Sequence, residues 1–320
     1  MSVRIGLGLS TQPFSGPAAL LRWAQLCDEQ GVDSLWQTDR LVSREASLEP
    51  VAWMAALAGA TSRVKFGMNA VVVTTRDPLV LAKQCATIDF LSDGRLLPVF
   101  GVGNASAPEW RATGRDPAGR GRRADEALEI MRRLWAGEQV DFDGEHFHYR
   151  GARISPLPAQ QPLPLWIGGS SRAAIRRSAQ VGSGWLGGVQ TPEQVAPVIA
   201  AIREAARARG RALADDHFGA TFGFRIGVPD DAVAARLRAR FAGAAKSGGG
   251  GERSAGAVPG PGWAVIGSAR DVIDRCAAYR RAGAHKFVLL PLCEAGCDDD
   301  LFEQTRRVVE QVIPVVHGWS

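Results

Sequence analysis

Leu165-Trp166-Ile167-Gly168-Gly169-Ser170-Ser171-Arg172 is an apolar run of strand length, a pair of glycines, and two hydroxyl side chains opening a helical stretch that continues to Val181. Strand, tight turn and capped helix in so few residues form the joint of a βα unit. The unit recurs on both sides. Upstream, residues 3–9 precede a helix from Pro17 to a stop near Gly31, and residues 33–39 precede one over 48–60. Residues 64–73 then lead to a helix over 79–91, and 95–101 to one over 121–135, where Leu128, Met131, Leu134 and Trp135 recur at helical spacing. Downstream, strand 184–186 leads to helix 191–209, and strands 218–228 and 286–290 follow, with closing helices near 269–282 and 299–312. Alternation of this kind builds a parallel sheet, and eight strands with eight helices predict an α/β fold of the (β/α)₈ TIM-barrel type.

Two stretches interrupt the rhythm. Residues 137–163, with Gly144, Gly151 and several prolines, read as an inserted hairpin and loop, and the alternation of His146 and His148 with Phe147 and Tyr149 suits a hairpin edge. Residues 229–262 begin as a short helix and end in Ser247-Gly248-Gly249-Gly250-Gly251 and further Gly and Pro. That composition buries too little surface to order itself, so the segment is either a lid or a tolerated insertion. With these insertions, residues 1–320 read as one barrel domain.

At 46% hydrophobic and 22% charged residues the 320-residue chain has an ordinary globular composition. No stretch reaches the roughly 18 uninterrupted apolar residues of a membrane span. Met1–Arg4 runs directly into the first strand, so a soluble, unexported, cytoplasmic protein is expected. Cys27, Cys85, Cys276, Cys293 and Cys297 are an odd set without CxxC spacing, which argues against a disulfide framework, and no metal site is expected. The net charge of +5 rests on arginine, since Lys65, Lys83, Lys246 and Lys286 are the only lysines. It is spread along the chain with no basic arm, so nucleic acid is not an expected partner, while a small anionic ligand stays open.

In such barrels the chemistry sits at the C-terminal ends of the strands, which selects residues 38–41, 69–76, 101–110, 168–172, 185–189 and 291 onwards. Gly168, Gly169, Ser170, Ser171 and Arg172 suit a phosphate, because glycines let amides approach an anion and the helix start favours negative charge. An ordinary capped turn reads the same way. Gly101-Val102-Gly103-Asn104 either lets a flat ring lie against bare backbone or merely turns tightly. Asn69, polar within the β-branched run 66–73, points to a backbone bulge or a ligand contact. Glu109, in a long loop beside Trp110, is a general acid, a substrate contact or a surface carboxylate, and spacing alone favours the surface. Asp39-Arg40 at the second strand end could be no more than an ion pair.

Taken together, the runs Asp33-Ser34-Leu35-Trp36-Gln37-Thr38-Asp39, Asp89-Phe90-Leu91-Ser92-Asp93-Gly94-Arg95, Gly101-Val102-Gly103, Ile167-Gly168-Gly169-Ser170 and Val265-Ile266-Gly267-Ser268 resemble the luciferase-like flavin and deazaflavin family in order and spacing. The resemblance implies a barrel that holds coenzyme F420 or FMN at its mouth, and a non-prolyl cis peptide that maps to Asn69-Ala70. It implies a homodimer, and a reaction in which hydride passes between cofactor and a small organic substrate. Asp39 and Arg40 match the pair that faces the ring, but many F420 members carry histidine where Arg40 stands. An arginine stays protonated, so Arg40 would stabilise negative charge rather than move a proton, with Glu109 as the proton donor. Arginines at 172, 176, 177 and along 115–123 suit the anionic tail of F420, which is favoured over an FMN monooxygenase. A non-catalytic flavin-binding protein is the rival from another class. A sugar- or phosphate-processing barrel would need paired carboxylates or metal ligands that the sequence does not offer.

Overall fold

The computed structural model describes residues 3–9, 14–227, 231–246, 262–294 and 296–319. Its strands are β1 (Arg4–Leu9), β2 (Ser34–Gln37), β3 (Lys65–Met68), β4 (Val71–Val72), β5 (Leu96–Leu97), β6 (Val99–Gly101), β7 (Val140–Asp143), β8 (His148–Ala152), β9 (Trp166–Gly168), β10 (Gly184–Val189), β11 (Phe218–Ile226), β12 (Ala264–Gly267) and β13 (Lys286–Pro291). The helices are α1 (Pro17–Glu29), α2 (Pro50–Ala60), α3 (Pro78–Leu91), α4 (Pro108–Ala112), α5 (Arg120–Trp135), α6 (Arg172–Gln180), α7 (Pro192–Arg207), α8 (Ala232–Lys246), α9 (Ala269–Arg281), α10 (Asp298–Gln311) and α11 (Ile313–His317). Proline stands in the first turn of α1, α2, α3, α4 and α7, where its missing N–H leaves no helical bond unmade. Side chains of Glu49, Asp77, Ser171 and Ser268 cap α2, α3, α6 and α9 by accepting backbone N–H groups.

Parallel pairing joins β13 to β1, β1 to β2, β2 to β3, β3 to β5, β4 to β6, β6 to β9, β9 to β10, β10 to β11 and β11 to β13. The expected third strand is broken into β3 and β4 at the cis Asn69–Ala70 peptide, so the expectation of that peptide is met. The expected fourth is broken at Pro98, which has no N–H for a ladder, into β5 and β6. Counting each broken strand once, the pairing returns to its start after eight positions, and the expected eight-position barrel is the observed architecture. Element bounds shift by up to a few residues, as where β10 runs on to Val189, and the larger differences lie at the barrel's mouth. The seventh strand ends at Ile226 rather than Val228, β12 pairs with its last residues, and the long loop after β6 contains α4. The Gly-rich segment 247–261 lies outside the described residues.

Two layers of apolar contact hold the barrel. Outward-facing residues such as Leu35, Phe66, Phe222 and Leu289 pack under the helices, while Trp36, Val99, Trp166, Leu186, Val288 and Leu290 fill the interior. Large interior side chains need bare backbone opposite: a Cβ on Gly8 would lie 2.7 Å from Leu290 Cδ2 and one on Gly67 2.5 Å from Trp36 Cζ3. At the N-terminal end Lys286 Nζ meets Asp33 Oδ2 at 2.5 Å and lies 5.7 Å from the Trp36 ring centre. The predicted insertion at 137–163 is the antiparallel hairpin β7–β8. Glu126 of α5 anchors its turn by accepting the N–H groups of Glu145, His146 and Phe147 at 2.8, 3.0 and 3.2 Å. No described helix is long and apolar enough to cross a membrane.

Candidate active site

The barrel mouth has a polar strut across its floor. Asn69 ends the first half of the third strand, and its Nδ2 donates to Thr221 Oγ1 of β11 at 3.0 Å. The third and seventh positions of an eight-strand ring are diametrically opposite, so this bond spans the interior. It satisfies the buried Thr221 hydroxyl and answers the sequence's question about Asn69: the amide has a protein partner. Ala70 projects toward the other side. A Cβ added to Gly101 would lie 3.7 Å from the Ala70 methyl, and one added to Gly168 3.3 Å from it, so these three positions line one shallow surface with little more than backbone.

At the second strand's end the structure corrects the suspected Asp39–Arg40 pair. The Asp39 side chain is 3% exposed and meets Arg76 in a two-point contact, Nη1–Oδ2 at 2.6 Å and Nη2–Oδ1 at 3.0 Å. It also accepts the Val72 N–H at 2.8 Å, which spends both oxygens on the wall of the mouth. Arg76 Nη2 continues to Glu49 Oε1 at 2.8 Å, and Glu49 caps α2 through the Ala52 N–H. Burial pulls the Arg76 guanidinium down, and the Asp39 and Glu49 carboxylates more than offset this, so it stays charged above its ordinary range. Arg40 is left exposed at the rim. Arg76 and Glu49 were missed because they lie far apart in sequence, although Glu49 beside Pro50 is a recognisable helix start.

On the fourth loop, Gly103 takes a φ of +73°, which permits the turn that follows β6. Asn104 accepts Ser106 N–H and hydroxyl bonds through its side chain, and its carbonyl accepts Trp110 Nε1 at 2.7 Å. Asn104 therefore shapes the loop. Trp110 is buried in α4, where it closes beside Gly103 and Val72. Glu109, its neighbour, carries a buried Oε2 with no hydrogen-bond partner. A solvated surface carboxylate would not look like this. A buried acceptor without a donor is costly unless a ligand or a proton supplies the missing hydrogen bond.

After β9 the strand, glycine turn and capped helix start expected from the sequence are present. Gly169 has a φ of +96°, its carbonyl accepts Trp185 Nε1 at 2.8 Å, and Ser171 Oγ accepts the Ala174 N–H as the cap of α6. Ser170 and Arg172 are exposed. The neighbouring cations are committed elsewhere: Arg177 is buried on Asp125 at 2.5 Å, with Arg176 reaching the same carboxylate at 3.7 Å. Along the fourth loop Arg122 pairs with Glu145 at 3.0 Å and Arg123 donates to the Asp116 carbonyl. Arg172 and Arg115 are exposed cations with no ion pair among the described residues.

Of the remaining half of the mouth, over β11, β12 and β13, only the end of β13, from Pro291 onwards, was selected from the sequence. Trp263 and Ala264 join Leu290, Leu292 and Ala70 in the interior cluster, and a Cβ on Gly223 would lie 2.7 Å from Trp263 Cζ3. Beneath them Arg225, 5% exposed, is held by Asp231 at 2.7 Å and Asp300 at 2.9 Å and donates to the Leu292 carbonyl at 3.1 Å. These residues stand at the ends of separate strands, far apart in the chain, so no local pattern brings them together.

Comparison with known proteins agrees with this architecture. An F420-dependent glucose-6-phosphate dehydrogenase of Amycolatopsis mediterranei is 30% identical over 224 residues, 67% of this chain and 66% of that protein. One of Nocardia farcinica is 34% identical over 194 residues, 58% of this chain and 56% of that protein, so the match spans well under the full length of these relatives. Among solved structures, a monooxygenase from Streptomyces bottropensis superimposes with a TM-score of 0.81 at 23% identity, covering 98% of this chain and 99% of that one. An F420-dependent secondary alcohol dehydrogenase bound to an F420–acetone adduct gives 0.80 at 21% identity, covering 99% of each. The sequence profile of the luciferase-like monooxygenase family matches residues 1–286. With its ring of eight strand positions, broken third strand and glycine-lined mouth, the chain belongs to that family.

Proposed function

We propose that residues 1–320 form one barrel domain that acts as an F420-dependent oxidoreductase on a small organic substrate. The observation that carries the reading is the buried, unpartnered Glu109 Oε2 on a loop that borders a glycine-lined mouth. The residues present fit a flat ring. Gly101, Ala70 and Gly168 offer bare backbone and one methyl group, and Gly169, Ser170 and Arg172 at the start of α6 offer amides, a hydroxyl and a cation to a phosphate. Gly103 and Asn104 hold the fourth loop, and Asp39 holds the opposite wall through Arg76 and Val72. When bound, F420 supplies a carbon that gives or takes a hydride. Glu109 holds or releases the proton at Oε2, and Arg40, always charged and at the rim, stabilises negative charge as it develops on the substrate.

The support from relatives is their named dependence on F420. A second reading, an FMN-dependent monooxygenase, is favoured by the commitment of Arg176 and Arg177 to Asp125, which leaves fewer cations for a long anionic tail. Titration of the purified chain with F420 and with FMN, followed by quenching of each chromophore, separates the two. Tight F420 binding with weak FMN binding is expected; the reverse, with oxygen consumed alongside reduced FMN, replaces the first reading by the second.

We further propose that the protein works as a cytoplasmic homodimer. Five free thiols suit a reducing compartment. The adjacent helices α2 and α3 turn apolar or small side chains outward: Ala52, Ala55, Ala56 and Gly59 on one, and Val80, Phe90 and Leu91, at 55%, 56% and 62% exposure, on the other. A face of this kind suits burial against its own copy. Light scattering should give twice the 34.1 kDa chain mass, and Phe90→Arg with Leu91→Arg should give the monomer; a monomeric parent protein would sink the dimer.

A further inference from the structure

On the cofactor reading above, on which this step rests, we infer that Thr221 is a positioning residue for the bound ring. It holds the Asn69 amide so that Oδ1 faces the mouth and accepts the imide N–H of the cofactor. Along β11, Phe218, Ala220, Phe222 and Phe224 point outward into the core under the helices, so the residues between them face the interior of the barrel. Gly219 and Gly223 carry no side chain there, and the space a Cβ would take is filled by Leu186 and Trp263, at 2.6 and 2.7 Å. Thr221 is the one inward side chain between them. It lies beside Val288 of β13 and is 2% exposed.

A hydroxyl in that place calls for a reason, because the interior around it is apolar, with Trp36, Trp166, Leu186 and Val288 among its side chains. One hydrogen bond between two neutral side chains there offers stability little better than two apolar groups of the same shape. What the bond does achieve is to fix the direction of an amide. Asn69 Nδ2 donates to Thr221 Oγ1 at 3.0 Å, so Oδ1, the other arm of the planar group, is turned away from Thr221. Asn69 is half-buried; its Oδ1 receives no hydrogen bond from a described residue and is not sealed inside the barrel. The backbone N–H of Asn69 is already spent on the Gln37 carbonyl at 2.8 Å. The next residue, Ala70, lines the bare surface with Gly101 and Gly168, so a flat ring on that surface lies one residue away from an open acceptor. An amide oxygen accepts donors and repels other acceptors. The oxidised rings of F420 and FMN are rich in acceptors and share one N–H, the imide of the pyrimidine half; a ring hydroxyl is peculiar to F420. The imide N–H is therefore the partner assigned to Oδ1.

The test uses the full chain and reads binding rather than turnover. F420 and FMN are titrated into the parent protein and its variants, with quenching of each chromophore followed. A parent that binds neither ring overturns the cofactor reading and the Thr221 assignment with it. In a parent that binds, Asn69→Ala should weaken ring affinity about tenfold and Thr221→Val about fivefold, while Thr221→Ser, which keeps the hydroxyl, stays within about twofold. A second arm changes the ligand: the deazaflavin chromophore of F420 is compared with the same ring methylated at the imide nitrogen. The parent should discriminate against the methylated ring about tenfold and Asn69→Ala by about twofold or less, because the two changes remove the same hydrogen bond. Folded Asn69→Ala and Thr221→Val proteins that bind like the parent overturn the assignment while leaving the cofactor reading intact. Equal discrimination in parent and Asn69→Ala overturns it too, since the losses are then independent. Weakening confined to F420, with FMN unaffected, moves the contact to the ring hydroxyl and overturns the imide partner. Should either variant fail to fold, the parent's own discrimination decides, and a methylated ring bound as well as the unmethylated one overturns the assignment.

Discussion

Glu109 shows how a single residue changes meaning between sequence and structure. In the chain it sits in a long loop, and a carboxylate in a loop is ordinarily solvated. In the fold the short helix α4 starts at Pro108, buries Trp110 and takes Glu109 Oε2 out of water without giving it a donor. Five residues of helix give no periodicity to read, so nothing local announced the burial. Glu109→Gln keeps the shape and removes the exchangeable proton. Turnover should fall about 10²- to 10³-fold with F420 affinity changed less than threefold, a split that stopped-flow kinetics and fluorescence titration would resolve. Arg40→Ala should likewise lose far more in kcat than in cofactor affinity; an equal loss in both would make Arg40 a binding residue. Gly169 needs a control. At φ +96° any side chain is strained, so Gly169→Ala should cost about 1–2 kcal/mol in a denaturant titration without changing cofactor affinity much, whereas Gly169→Asp should also weaken F420 binding at least tenfold. Equal affinity in the Ala and Asp variants would remove this turn from the site.

Elements were legible where their signals are local. Proline starts, hydroxyl and carboxylate caps and apolar periodicity placed most helices within a residue or two, and Gly-Gly-Ser marked the β9–α6 joint. What escaped depends on distant partners. The break of the third strand was marked by the polar Asn69 in its run, but β12 follows a Gly- and Pro-rich stretch that hides it, becoming a strand because the end of β11 leaves ladder groups for it to pair. The Asp39–Arg76–Glu49 chain is the clearest such case, because it ties the end of β2 to β4 and to the first turn of α2. Removing one partner leaves a buried charge behind. Arg76→Met should destabilise the fold by about 3 kcal/mol in urea denaturation and Asp39→Asn by a similar amount, with the double variant well short of the sum. Strict additivity would show that the two side chains do not depend on each other, and the wall of the mouth would then need another support.

On the scale of the whole molecule, the end of the barrel away from the chemistry is where the chain's two ends meet. The Ile5 N–H of β1 donates to Nε2 of His317 in α11 at 3.0 Å, across 312 positions of sequence. A ring nitrogen that accepts a hydrogen bond carries no proton. Burial lowers the His317 pKa; Asp33 pulls it up, while Arg4 and Lys286 push it further down, and the balance leaves it below the ordinary 6.5. The buried Lys286–Asp33 pair stands at the same end, where Lys286 starts β13 beside β1. Above pH 6.5 the histidine is neutral whether the chain is folded or not, so it adds no pH dependence there. Below it the unfolded chain takes up a proton that the folded chain resists, and stability is lost as pH falls from about 6.5 toward the lower folded value. The predicted outcome is a lower urea midpoint at pH 5.5 than at pH 7.5, with the decline visibly smaller in His317→Gln, whose amide oxygen can accept the Ile5 N–H at either pH. If the parent and the variant lose the same stability over that interval, His317 is not the group that titrates, and the junction between β1 and α11 is insensitive to acid.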